Sequence, residues 1–186
     1  EALFKIEMNE ESSGHMIKLE IPELKFKAEY KTNSLGAITE TIKINPQLWS
    51  PLNPKLYEVK ISSDAETISD KIGFRSIKTS GQKIYLNNYE IQFKGIAMHS
   101  EPIGIAGPAF SKAHFQKLLL TAKDLNINFI RAAHYPYTRH LAKVADQLGL
   151  MLWEEVPVYW NIDWDNSDTL NIAKNQITRL VQRDQN

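Results

Sequence analysis

The stretch Ile127–Trp160, INFIRAAHYPYTRHLAKVADQLGLMLWEEVPVYW, decides the fold. It opens on a short apolar run (Ile127, Phe129, Ile130) that gives way to Arg131, Ala132, Ala133 and His134. A helical repeat follows, with Leu141, Val144, Ala145 and Leu148 spaced to share one face. Gly149 stands where such a helix should stop. A second apolar run, Leu150 to Trp153, ends at Glu154 and Glu155. Strand, helix, strand is the unit from which parallel sheets are built. In such sheets ligands meet the C-terminal ends of the strands. Arg131, His134, Glu154 and Glu155 at two such ends are more than packing alone requires.

Upstream, Phe93 to Met98 reads as a first strand of the same sheet, ending at His99, Ser100 and Glu101. Pro102 to Pro108 is a loop, and Ser111 suits a helix N-cap. The helix behind it carries Phe115, Leu118, Leu119, Ala122 and Leu125 on one stripe. Ahead of this strand, Asn87-Asn88 predicts a tight turn between Ile84–Leu86 and Glu90–Phe93. Downstream, Asn161 to Asp168 is a polar loop. Ser167 or Asp168 would cap a third helix with Leu170, Ala173, Ile177, Leu180 and Val181 facing inward. The order from about residue 84 is therefore a hairpin and then three strand–helix units, which fit a (β/α) barrel or an open doubly wound sheet. No G-x-G-x-x-G follows the first strand, which argues against a dinucleotide fold. A (β/α) barrel needs eight units, so the chain is expected to stop inside its second domain. Unpaired strand edges would then favour self-association, domain swapping, or disorder beyond about residue 160.

Residues 1–78 read differently. Leu3 to Met8, Met16 to Ile21, Leu24 to Tyr30, Ile38 to Ile44 and Leu56 to Ile61 alternate with period two. In the third run Leu24, Phe26, Ala28 and Tyr30 share a face opposite Lys25, Lys27 and Glu29. Short strands separated by turn residues predict an antiparallel, immunoglobulin-like β-sandwich. Three prolines exclude a central strand from Asn45–Tyr57, where Trp49 and Tyr57 are expected to anchor a packed loop. The division expected is thus a sandwich over 1–78 and the start of an α/β domain over 79–186.

Lys plus Arg and Asp plus Glu number 22 each, so the balance of charge points to neither nucleic acid nor a membrane surface. No apolar run approaches the roughly 20 residues that span a bilayer. With no cysteine there is neither a disulfide framework nor a thiolate metal site.

The segments KGIAMHSE, NFIRAAHYPY and LGLMLWEEVPVYW resemble glycoside hydrolase family 2, the family of β-galactosidases, β-glucuronidases and β-mannosidases. LWSPLNPKLYEVKI and IGFRSI resemble its immunoglobulin-like domain and the junction to its TIM (β/α)8 barrel. Arg183-Asp184-Gln185-Asn186 resembles the family's R-D-x-N, which usually continues to H-P-S and then N-E. The resemblance spans nearly the whole chain. It implies a retaining two-carboxylate mechanism, with acid/base and nucleophile about 5 Å apart. In the family the acid/base is the Glu of the N-E motif and the nucleophile lies further on; neither motif occurs here. The resemblance thus implies a fragment of a β-glycosidase, most like a β-galactosidase, that cannot itself hydrolyse.

The resemblance also assigns residues. It implies sugar contacts for His99 and His134 and a supporting role for Arg131 beside the catalytic carboxylates. It favours Glu155 over Glu154 as the residue facing the barrel mouth, since neighbours on a strand face opposite sides. For the same reason Glu154 and Glu155 cannot be the catalytic pair. Arg131 should be buried against a carboxylate, with Glu155 its expected partner. Glu101 departs from the family's H-E pair by the inserted Ser100. Tyr159 and Trp160 are candidates to line the cleft, and Trp153 is assigned to the core. His114 and His140 are expected on solvated helix surfaces. Where some β-galactosidases carry metal ligands this chain has Tyr159 and Asn161, so no metal and no cofactor is expected. Two other readings stand beside the glycosidase: a non-catalytic carbohydrate-binding or scaffold module, and a barrel enzyme of another chemistry fused to a sandwich.

Overall fold

The computed structural model describes residues 1–8, 14–102, 104 and 106–185. By internal contacts the chain divides into Glu1–Trp49 with Lys55–Arg75, and Ser50–Pro54 with Ser76–Asn186.

The first unit is a sandwich. Strands β1 (Ala2–Glu7) and β4 (Ala37–Ile42) form one antiparallel pair. Strands β2 (Met16–Ile21), β3 (Phe26–Lys31), β5 (Tyr57–Ser62) and β6 (Thr67–Ile72) form a second antiparallel sheet in the order β3-β2-β5-β6. Period-two alternation puts Ile17, Leu19 and Ile21 of β2 inside and Lys18 and Glu20 outside. Leu19 and Ile21 meet Ile42, Tyr57, Val59 and Phe74 in the core, with Phe4 edge-on to Phe74. The third expected run begins later than the alternation suggests. A 3-10 turn occupies Pro22–Leu24, Lys25 takes a positive φ, and the strand starts at Phe26. Trp49 is fully buried under the Arg75 guanidinium, which lies 4.2 Å from its ring. The Tyr57 hydroxyl accepts the Gln47 N–H at 2.8 Å, so the proline-rich loop is anchored by both aromatics.

The second unit opens with a small antiparallel meander, β7 (Ile77–Ser80), β8 (Lys83–Leu86) and β9 (Tyr89–Glu90). Asn87 and Asn88, both at positive φ, make the turn between β8 and β9. Three parallel strands follow, β10 (Gly95–Met98), β11 (Phe129–Ala132) and β12 (Met151–Glu154), ordered β10-β11-β12. The helices are α1 (Lys112–Asp124), α2 (Arg139–Leu148) and α3 (Ser167–Asp184). Ile130 and Ala132 turn towards α1 and α2 and share a core with Phe115, Leu119, Leu141 and Val144. Ser111 caps α1 by accepting the His114 N–H. These are the first three strand–helix units of a TIM barrel, and among the described residues the barrel does not close.

Several expectations need correction. The strand β10 starts at Gly95 rather than Phe93, whose ring instead stacks on Phe129 at 4.5 Å between centroids. Leu125 is the C-cap of α1 and is exposed. Asn166, not Ser167 or Asp168, caps α3. Of the five residues expected on the inner face of α3, Leu180 alone is buried, because that helix docks near its C-terminal end. Beyond residue 160 the chain forms a helix over Ser167–Asp184. His114 and His140 are partly buried rather than solvated.

Candidate functional site

The register of the parallel sheet decides which side chains meet. Ala97, Arg131 and Trp153 are directly opposite one another across the three strands. They project from the face opposite Ile130 and Ala132, which the helices cover. Trp153 is therefore exposed rather than in the core, at 59 % accessibility. One step beyond the ends of β10 and β12, the same alternation brings His99 and Glu155 to the rim, and His134, two residues past the end of β11, meets them there beside Arg131.

There the four residues are in contact. Arg131 Nε donates to Glu155 Oε1 at 2.6 Å, and His134 Nδ1 lies 2.8 Å from Glu155 Oε2. One carboxylate thus bridges both side chains, an oxygen for each. Arg131 Nη2 also lies 3.4 Å from His134 Nδ1. A guanidinium only donates, and the shorter contact to the carboxylate makes Nδ1 a donor too, so the Glu155 bond sets the tautomer. That leaves His134 Nε2 without a partner among the described residues, free to bond a ligand hydroxyl. The His99 ring stands edge-on to that of His134, with centroids 5.6 Å apart. Tyr159 leans on the other side of His134 at 5.7 Å. The Arg131 side chain is about half exposed, at 48 %, rather than buried. Arg131 beside it, and to a lesser degree His134, hold the Glu155 carboxyl below the usual carboxylate range against a smaller opposing effect of burial. Glu155 is therefore an anion across neutral pH.

Other candidates fall elsewhere. Glu101 is exposed and lines a hollow with Ser100, Pro102, Gly107, Pro108 and Tyr135. The inserted Ser100 is buried and donates to the Ala109 carbonyl at 3.1 Å, a structural role. Trp160 is 94 % exposed at positive φ and has no ring partner among the described residues. The peptide between Ala133 and His134 is cis.

Glu154 turns the opposite way, to the end of α3. Arg183 pairs with Asp184 there, donates to the Tyr137 carbonyl at 2.8 Å and reaches Glu154 at 4.0 Å. As a carboxylate, Glu154 would bury an oxygen with no donor to receive; as an acid it can donate to Asp184. Burial above all, then the Asp184 charge, outweigh Arg183 and push the Glu154 carboxyl up to about 7. Sequence alternation separated Glu154 from Glu155 but held no sign of this second cluster, which forms across 30 residues of chain. Its sign is testable. The native state holds the extra proton between the unfolded value near 4.5 and about 7, so this group's contribution falls as pH rises through that window. Glu154→Gln should melt like wild type at about pH 5 and about 5 °C higher at about pH 8.5. A melting difference that stays flat with pH in calorimetry would refute a buried, raised acid here.

Relatives point the same way. The profile of the glycosyl hydrolases family 2 TIM barrel domain matches residues 77–186, and a second glycosyl hydrolases family 2 profile matches residues 2–75. A putative β-glucuronidase of Formosa agariphila is 31 % identical over 84 % of this chain and 19 % of its own length. A β-galactosidase of Thermoanaerobacterium thermosulfurigenes is 28 % identical over 98 % of this chain and 25 % of its own. The chain thus spans about a fifth to a quarter of the curated relatives it matches. Among solved structures, a β-D-glucuronidase for Dictyoglomus thermophilum superposes with a TM-score of 0.73 at 26 % identity, covering 99 % of this chain and 34 % of that one. A family 2 β-galacturonidase from Eisenbergiella tayi bound to galacturonate shares the fold at a TM-score of 0.73 and 24 % identity, covering 98 % of this chain and 33 % of that one. With both profiles meeting at the junction between sandwich and barrel, and a charged rim where a barrel keeps its ligand, the chain belongs to glycosyl hydrolases family 2.

Proposed function

We propose that this chain is part of a retaining β-glycosidase that hydrolyses terminal β-linked sugars, galactosides first among them. The observation that carries the reading is the contact of Arg131, His134 and Glu155 at the C-terminal rim of the sheet, with His99 beside them. In this reading His99 and His134 bond sugar hydroxyls, and Tyr159 and Trp160 flank the cleft. Glu155 holds His134 in one tautomer and fixes the Arg131 guanidinium beside the reacting carboxylates. The names of relatives support the chemistry: β-galactosidases and β-glucuronidases recur among them.

The chain supplies recognition and not the bond-breaking step. Glu154 and Glu155, the two adjacent acids of the rim strand, turn to opposite sides, one to Arg183 and one to Arg131. Two carboxylates must flank one glycosidic bond about 5 Å apart, and this pair cannot. The 186-residue chain alone is therefore expected to release no nitrophenol from p-nitrophenyl β-D-galactopyranoside. It should still bind D-galactose weakly, and His134→Ala should weaken that binding about tenfold, the worth of one hydrogen bond. Turnover by the isolated chain that His134→Ala abolishes would overturn the assignment of roles. Galactose titrations identical in both proteins would remove His134 from the sugar site.

A further inference from the structure

His99 and His134 share a neighbour that is buried away from the rim surface. Tyr137 is 4 % exposed, and its hydroxyl lies 2.8 Å from the Met98 carbonyl and 3.0 Å from the Ala133 carbonyl. Met98 is the residue before His99, and Ala133 the residue before His134. A phenol has one proton, so both carbonyls share it. The Ala133 N–H donates to the same Met98 carbonyl at 3.1 Å, which closes the join between the two strand ends. On the far side of His99, the Ser100 N–H donates to the Tyr135 hydroxyl at 3.2 Å. The Tyr135 and Tyr137 rings stack, with centroids 5.2 Å apart and planes 12° from parallel. The His99 imidazole makes ring contacts but no hydrogen bond to another side chain among the described residues. Its place is set by the backbone on either side of it, and both sides are held by this tyrosine pair. Burial keeps the Tyr137 phenol protonated far above neutral pH, so the shared donor is always present.

We propose that Tyr135 and Tyr137 are positioning residues that fix the spacing of His99 and His134, and with it which pair of sugar hydroxyls the two imidazoles reach together. The last clause rests on the sugar-binding reading above; the positioning itself does not. Tyr137→Phe keeps the ring and removes the shared proton. Tyr135→Phe removes the acceptor for Ser100 and a hydroxyl that acts on the Tyr137 phenol.

The test is long-range ¹H–¹⁵N spectroscopy of the imidazoles in the labelled 186-residue chain, followed by titration with D-galactose. Tyr137→Phe should move the signals of both His99 and His134 and leave those of His15, His114 and His140 in place. Tyr135→Phe should move His99 more than His134. In Tyr137→Phe galactose binding should weaken about fivefold, the scale of one misplaced hydrogen bond. If Tyr137→Phe does not fold, the Tyr135→Phe spectrum decides the matter. Unchanged His99 signals in folded Tyr135→Phe, or equal shifts of all five histidines, overturn the proposal. Imidazole shifts as expected, in a chain whose wild type binds no galactose, would uphold the positioning and sink the sugar reading.

Discussion

Glu155→Gln is expected to lower kcat/KM of the proposed β-glycosidase about a hundredfold, the scale set when a catalytic group is displaced by about 1 Å. The reason is the number of acceptors. Arg131 Nε and His134 Nδ1 each present a hydrogen to Glu155, one to each oxygen. A carboxylate offers two acceptors, but an amide offers one acceptor and one donor. Whichever way the substituted amide turned, its NH₂ would face a donor, and either Arg131 or the His134 ring would have to move. The charge lost matters less, because Arg131 is half exposed and water can screen it. The control lies one residue away. Glu154→Gln changes the same group on the other side of the strand, where it meets Arg183 and Asp184, and should leave kcat/KM within about twofold of wild type. Kinetics on p-nitrophenyl β-D-galactopyranoside and the matching glucuronide would decide it. Near-normal kcat/KM for Glu155→Gln, or equal losses for both variants, would show that the bridge does not serve the site.

How much of this was readable in advance depends on the range of the interaction. The helix α2 was legible because Leu141, Val144 and Ala145 carry its periodicity locally, and all three are buried. The turn at Asn87-Asn88 and the cap at Ser111 are likewise local chemistry. Strand β6, Thr67–Ile72, escaped because TISDKI offers almost no apolar face. It is an edge strand held by its ladder to β5, and edges need little burial. Trp153 was misread because an apolar run does not say which face is covered, and the register sets it beside Arg131 rather than Ile130. At the rim, the candidates themselves could be named from strand ends. The Tyr137 hydroxyl could not, since its bond to Met98 spans 39 residues and leaves no trace in local pattern. The Glu154 cluster was hidden for the same reason.

The largest effect on stability is expected from Gly149→Ala. Gly149 ends α2 in the left-handed region at φ 71°, and Leu150 N–H returns to the Ala145 carbonyl at 2.9 Å. Placing any L-residue there costs about 1–2 kcal/mol. A methyl group would also run into the Pro51 carbonyl oxygen, with the Pro51 carbonyl carbon and Cα only 3.1 Å away. That backbone cannot easily retreat. Ser50 and Asn53 exchange both N–H···O bonds at 3.0 Å, and the Asn53 N–H also reaches the Ser50 hydroxyl at 3.2 Å, so Pro51 sits in a closed turn. Overpacking against a fixed wall adds about 1–3 kcal/mol, for a total near 3 kcal/mol. In a chain of this size that is a fall of roughly 6–12 °C in melting temperature. Gly81→Ala separates the two contributions. Gly81 has φ 57° but nothing within 4 Å of its would-be Cβ, so it should lose only the conformational part, about 1 kcal/mol. Urea midpoints for the two variants would then differ about threefold in their displacement from wild type. Equal displacements would mean that the Pro51 turn yields, and that Gly149 is needed for its dihedral angles alone. The consequence reaches the rim, because β12 begins two residues after Gly149 and carries Trp153, Glu154 and, one step past its end, Glu155. A helix that overran position 149 would shift that strand, and a shift of one residue exchanges its two faces. Glu154 would then meet Arg131, and the site would lose its bridge.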